Sequence, residues 1–328
     1  MPKKIEISHR TIIFTVLFLL TLWLLVQLRH LILILFLTII LTSALNPLVD
    51  RLERLRLPRW LAILLLYVFF IALFALALSL IVPPLIDQTS TFIDRSDLYL
   101  GQLAKFGIDS SFIASQLGQI GLVPANVIRT TVGFFSNIIS LVFLIIITFY
   151  VLLERKNLKH YLTLLFGQGK EAQAEDFINK IERQLGGWVR GELILMTLIG
   201  ILTYIGLRIL GIDFALPLAL LAGLLEVVPN FGPIISAIPA VLIGFTISPI
   251  IGFSVIALYF LIHQFEGALI VPKVMQRAVG VNPVILILSI AAGVELAGTV
   301  GAILSVPSVL IIKVILEQIK TKKGTPDL

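Results

Sequence analysis

Residues 60–82 run for 23 positions without one charged side chain. As a helix this stretch would rise about 34 Å at ~1.5 Å per residue, enough to cross the ~30 Å hydrocarbon core of a bilayer. In lipid every backbone amide must find its partner inside the protein, so only helices and closed barrels can span it. Comparable apolar runs recur from residue 11 to residue 319. They do not alternate polar and apolar residues as barrel strands do. The chain is read as all-α, a polytopic helical membrane protein. Its 13% charged residues and mean hydropathy of +1.06 compare with about 25% charged residues in soluble chains. With no cysteine, disulfides, thiolate chemistry and Cys-based metal sites are excluded.

In chain order, residues 1–82 read as N-terminal transmembrane helices. Segments 11–28 and 31–45 are separated by Arg29 and His30, Asn46-Pro47 ends the second, and Pro83-Pro84 closes the third. Residues 83–137 carry Asp87, Asp94, Asp97 and Asp109 among scattered apolar side chains. They are too long for a plain loop and read as a small helical extramembrane insertion. Residues 138–192 give a transmembrane helix and then basic, amphipathic helices along the membrane surface, with Phe177, Ile181, Leu185 and Trp188 at helical spacing. Residues 193–319 form the core, and residues 320–328 a Lys-rich tail. About eight membrane segments result.

Lysine and arginine set the orientation of this layout. Twenty of the 25 fall on one side, in the head, the loop with Arg51, Arg54, Arg56 and Arg59, residues 154–190, Lys273, Arg277 and the tail region. That side is expected to be cytoplasmic, with both termini there and residues 83–137 outside. The pI near 9.6 therefore reflects loop charges, and no nucleic-acid partner is expected; the partner is the lipid bilayer.

The core holds two similar stretches. Glu226 and Gly232 recur as Glu295 and Gly301, both 69 positions on, and the sequence Ile238-Pro239 recurs as Val306-Pro307, 68 positions on. Each copy, within 211–248 and 280–317, is two apolar arms joined by a Gly-containing turn. The arms are short: residues 213–228 give about 24 Å of helix at ~1.5 Å per residue. An odd number of crossings separates the copies, so they are inverted. Short, Gly- and Pro-interrupted segments in corresponding positions point to a transporter's midplane site. Two inverted re-entrant hairpins meeting tip to tip would bring Glu226 and Glu295 together. The other arrangement is four thin ordinary spans, with both acids at the headgroups.

Acids within membrane segments are costly and usually functional. Glu226, Glu295 and Glu266 are the candidates to bind a coupling ion. Pro229 and Pro233 free backbone carbonyls for a cation or solute, Asn230 adds an amide, and Gly232, Gly298 and Gly301 let the backbone turn. Each glycine and proline, taken alone, reads as a tight turn before it reads as a binding position. His263 and Glu266 share a helix face and form either a proton or cation relay or a polar cluster that joins helices. Arg190-Gly191-Glu192 reads as an interfacial anchor with a local ion pair. Ala215, Ala219 and Gly223 form a small-residue stripe for close helix packing, within a subunit or between subunits of a homo-oligomer.

An enzyme is not expected. His9, His30, His160 and His263 are dispersed, and neither a Gly-x-Ser-x-Gly elbow nor a phosphate-binding loop is present. No metal or cofactor is expected beyond a coupling proton or sodium ion.

Glu226-Val-Val-Pro-Asn-Phe-Gly-Pro-Ile-Ile-Ser-Ala-Ile-Pro, Glu266-Gly-Ala-Leu-Ile-Val-Pro-Lys-Val-Met, Asn282-Pro283 and Gly298-Thr-Val-Gly-Ala-Ile-Leu-Ser-Val-Pro307 resemble the autoinducer-2 exporter (AI-2E) family of bacterial membrane proteins. Gln276 stands where a Gly is usual, and Asn282 where His often precedes the Pro. The resemblance implies a multi-span inner-membrane secondary transporter that exports a small polar signalling solute. Some members are instead credited with sodium/proton exchange. A non-transporting scaffold, using residues 83–137 to bind partners, is the competing class.

Overall fold

The computed structural model describes residues 9–94, 138–167, 169–228, 232–275 and 280–322. Pro229, Asn230, Arg277 and residues 95–137 of the expected insertion lie outside them. The described residues are helical, with no strand among them. In order they form α1 (His9–Gln27), α2 (Arg29–Arg54), α3 (Arg59–Asp94), α4 (Ile138–Glu154), α5 (Leu158–Phe166), α6 (Glu171–Ile209), α7 (Ala215–Leu225), α8 (Gly232–Ile247), α9 (Pro249–Phe265), a π turn (Glu266–Ile270), α10 (Val271–Met275) and α11 (Pro283–Lys322). Among the described residues five stretches are long and apolar enough, by length and composition, to cross a membrane: Arg29–Arg54, Arg59–Pro84, Glu171–Ile209, Pro249–Ile270 and Val284–Lys320, the last interrupted at Ala297-Gly298. Their outward faces carry bare Leu, Ile and Phe, the surface that lipid covers.

Helix α6 is the central post, packing on α2, α5, α7, α9, α10 and α11. It joins what the sequence divides at residue 192. The basic amphipathic stretch and the following span are one 39-residue helix, about 58 Å long at ~1.5 Å per residue. The stretch expected to lie along the membrane surface therefore continues the line of the span. Its buried face, Leu185, Trp188, Leu195, Ile199, Thr203 and Leu207, keeps one helical period throughout, so nothing in the sequence bends it.

Three further boundaries differ from expectation. Pro47 does not end α2, which runs on to Arg54. Proline removes only the bond to the Ser43 carbonyl, and Gly186 of α6 lies against that oxygen, its missing Cβ leaving the carbonyl room to tilt. Pro83-Pro84 likewise sits inside α3, which continues to Asp94, since a membrane helix can lose two donors and keep its course. At Arg29-His30 there is a bend and no loop. The bonds Leu28 N to Leu24 O and Ile32 N to Leu28 O carry the helix across Leu28, and α1 from Ile12 onward is exposed.

Helices α2, α3 and α4 are fastened at their Arg-rich end. Arg59, 8% exposed, donates to the Leu152 carbonyl at 2.7 Å, Asp50 at 2.8 Å, Glu53 at 3.1 Å and Asn46 Oδ1 at 2.6 Å, and Lys156 pairs with Glu53 from the α4 side. Arg59→Met would leave Asp50, the Asn46 amide oxygen and the Leu152 carbonyl without this donor and Glu53 with Lys156 alone. It is expected to lower stability by about 2–4 kcal/mol, read as a fall in thermal unfolding temperature in detergent.

Both repeat copies reverse direction. Helices α7 and α8 pack on each other, and a Cβ built on Gly232 would strike the Leu225 carbonyl and Glu226 nitrogen. Helix α11 is not one rod. Gly298 has φ 60° and ψ −140°, a region essentially reserved for glycine, and Gly293 lies backbone to backbone against Gly301, eight residues on. In an unbroken helix those glycines would be about 12 Å apart at ~1.5 Å per residue. The chain thus folds back at Ala297-Gly298 into arms 283–296 and 299–322. Asn282 Oδ1 accepts from Val284 N and starts the first arm.

Candidate functional site

Three helices bring one carboxylate each into the core. Glu226 ends α7 at the tip of the first hairpin and is 1% exposed; Glu266 opens the π turn after α9 and is 3% exposed; Glu192 lies midway along α6 and is 4% exposed. Glu266 interacts electrostatically with both others, and Glu192 with Glu226. Three carboxylates thus face one another in a part of the core that is otherwise apolar.

Local structure explains the convergence. Ala219, Ala222 and Gly223 let α7 lie close on α6: a Cβ on Gly223 would reach within 2.6 Å of the Met196 carbonyl. This is the packing expected of the small-residue stripe. Gly206 admits Leu258 of α9, and Gly244 meets Gly252 across α8 and α9. With backbones this close, an acid on any of these faces meets its neighbours. The π turn shifts register by one residue at Glu266, a distortion found frequently at functional sites.

Little neutralises the cluster. Among the described residues only His263 lies within ion-pair range of any of the three, its Nδ1 3.4 Å from Glu266 Oε2. Both Glu192 oxygens and Glu226 Oε2 are buried without a hydrogen-bond partner. Unpartnered buried acceptors are costly, and they offer a proton or a desolvated cation somewhere to bind. No set of three or more His, Asp or Glu among the described residues is arranged to hold a metal ion.

The structure divides the sequence candidates. Glu226, Gly232 and Pro233 lie together at the first tip, all buried, with His263 and Glu266 beside them. Glu295, Gly298 and Gly301 belong to the second hairpin, which packs on α6. The expected meeting of Glu226 with Glu295 does not occur: Glu295 is exposed, and the partners of Glu226 are Glu266 and Glu192. Arg190-Gly191-Glu192 also needs correction. Arg190 is exposed, while Glu192 turns inward and makes no ion pair. Its place was visible in the spacing, since 185, 188, 192, 195 and 199 recur at three and four residues on one face.

The model of the AI-2E family transporter matches residues 12–321. YrrI of Bacillus subtilis, whose name assigns it provisionally to transport, is 29% identical over 86% of this chain and 84% of its own length. The AI-2 transport protein TqsA of Escherichia coli is 30% identical over 84% of this chain and 82% of its own. A Mycobacterium tuberculosis transport protein, also provisionally named, is 41% identical over 32% of this chain and 29% of its own. The chain is a multi-pass membrane protein of the AI-2E transporter family.

Proposed function

We propose that the chain is a gradient-driven exporter of a small polar solute, of the kind the name of TqsA assigns to that protein, and that it is not an enzyme. A proton held among Glu226, Glu266 and Glu192 couples the cycle. The observation that carries this reading is the buried carboxyl pair between a hairpin tip and a π turn. When its proton leaves, like charges face each other in an apolar core, where repulsion is strong. That repulsion favours a state in which the hairpin α7–α8 has moved from α9, and a ligand or proton can shift such an equilibrium only by binding the two states differently. In the first hairpin, arms of 11 and 16 residues fall short of the ~20 that a span needs and support re-entry. The charge asymmetry supports a bacterial inner membrane with the Arg-rich end and both termini in the cytoplasm.

A sodium–proton antiporter is the second reading. The unpartnered oxygens of Glu192 and Glu226 favour it, since they can coordinate a cation once the proton departs. Proteoliposomes separate the two. Solute movement that follows an imposed pH gradient without sodium is the expected result; a sodium-driven pH change without solute would favour exchange. Neither flux in a folded protein would reject both and leave the scaffold.

A further inference from the structure

The Arg-rich end also holds an open polar cavity of about 350 Å³ between α2 and α6, separate from the acid cluster. Its hydrogen-bond inventory is lopsided. Asn46 Oδ1 already accepts from Arg59 and Asn179 Oδ1 from Arg155, both at 2.6 Å. Arginine only donates, so both amides are fixed with their NH2 groups left over. The two lining acids are also engaged: Glu182 takes Arg155 through both oxygens, and Asp176 pairs with Lys180 at 2.8 Å. Among the described residues Arg190 makes no hydrogen bond or ion pair. Its Nη1 lies over Gly186, beside the Ser43 carbonyl. The wall thus offers a free guanidinium fork and two amide NH2 groups, while both lining carboxylates already face cations, Glu182 facing Arg155 and Asp176 facing Lys180, and the Ser43 hydroxyl gives its proton to the Ile39 carbonyl.

A donor-rich pocket with a free guanidinium fits an acceptor-rich guest, and a fork binds phosphate or carboxylate through two parallel bonds. We infer that this cavity is a binding site for a small anion carrying a phosphate or carboxylate group, with Arg190 as its principal contact. Arg183 contributes charge; its own partner, Asp176, is 3.8 Å away. The inference stands whether or not the buried acids couple transport.

Calorimetric titration of inorganic phosphate into the full chain in phosphatidylcholine nanodiscs tests it. Saturable binding is expected, weakened about tenfold or more by Arg190→Ala and less by Arg190→Lys, which keeps the charge and loses the fork. Arg183→Ala serves as a second variant, with unfolding temperatures measured for all. Discs partly replaced by phosphatidylglycerol identify the source: loss of phosphate binding to the wild type means that a lipid headgroup occupies the site, and unchanged binding means a soluble anion. An absence of saturable binding, or wild-type affinity in folded Arg190→Ala, would overturn the assignment.

Discussion

Glu266→Gln and Glu226→Gln are each expected to reduce coupled flux by at least about a hundredfold, the scale on which one proton-transferring group contributes to a rate. Glu295→Gln is expected to leave flux within about twofold of wild type, as for an exposed side chain with no role in the chemistry. The contrast follows from environment, because Glu226 and Glu295 occupy equivalent positions of the repeat. On the proposed mechanism Glu226 and Glu266, both buried, hold the coupling proton between them, and glutamine keeps the side chain's shape while removing that proton site. Each variant should therefore remain folded, as checked by its unfolding temperature and elution as a single species. Glu192→Gln belongs with the first pair if all three acids act as one cluster. Equal losses for Glu226 and Glu295 would return the site to the symmetric tip-to-tip arrangement. Wild-type flux in all four would remove the carboxyls from the mechanism.

The class of fold was legible because lipid imposes it: uncharged runs such as residues 60–82 admit few other structures. The two reversals were legible for a similar reason, since Gly232 and Gly301 mark places where backbones must approach closely. What the repeat could not convey was surroundings. Two copies of one turn share their glycine and their acid, but the first packs against α9 and the stretch of α6 around Ile199 and Leu207, and the second against the stretch of α6 around Leu185 and Trp188; one carboxylate is buried and the other exposed. Glu192 reads as half of an interfacial ion pair because an acid two residues from an arginine suggests one, a local interpretation; the helical period that turns it inward only acquires meaning once α6 is continuous through residue 192. The prolines misled in the same way. Pro47 and Pro83 are local breakers, yet a helix can continue where a neighbour such as Gly186 makes room for the freed carbonyl. The site's remaining sequence candidates, Pro229 and Asn230, fall outside the described residues.

Gly301→Ala and Gly293→Ala offer the sharpest test of the second hairpin, because the sign of the effect differs between architectures. In a straight helix a Gly-to-Ala change stabilises by about 0.5–1 kcal/mol through backbone entropy. Here each new methyl would strike the backbone of the opposite arm, with no flexible side chain to move aside. The arms must separate, at about 1–3 kcal/mol or more for each substitution, and transport should fall with them if the hairpin moves as a packed unit. The two residues oppose each other across one contact, so the double variant should cost clearly less than the sum of the singles: once the arms are apart, the second methyl meets nothing. Gly298→Ala is expected to destabilise independently, because its cost lies in φ 60° and ψ −140° and not in crowding. Gly232→Ala should reproduce the first effect at the other tip, where the struck atoms are the Leu225 carbonyl and the Glu226 nitrogen. That collision displaces the backbone carrying the buried acid. Its flux loss should therefore exceed that of Gly301→Ala at equal loss of stability, and matching losses at the two tips would mean that position at the carboxyl pair is not what the first hairpin controls.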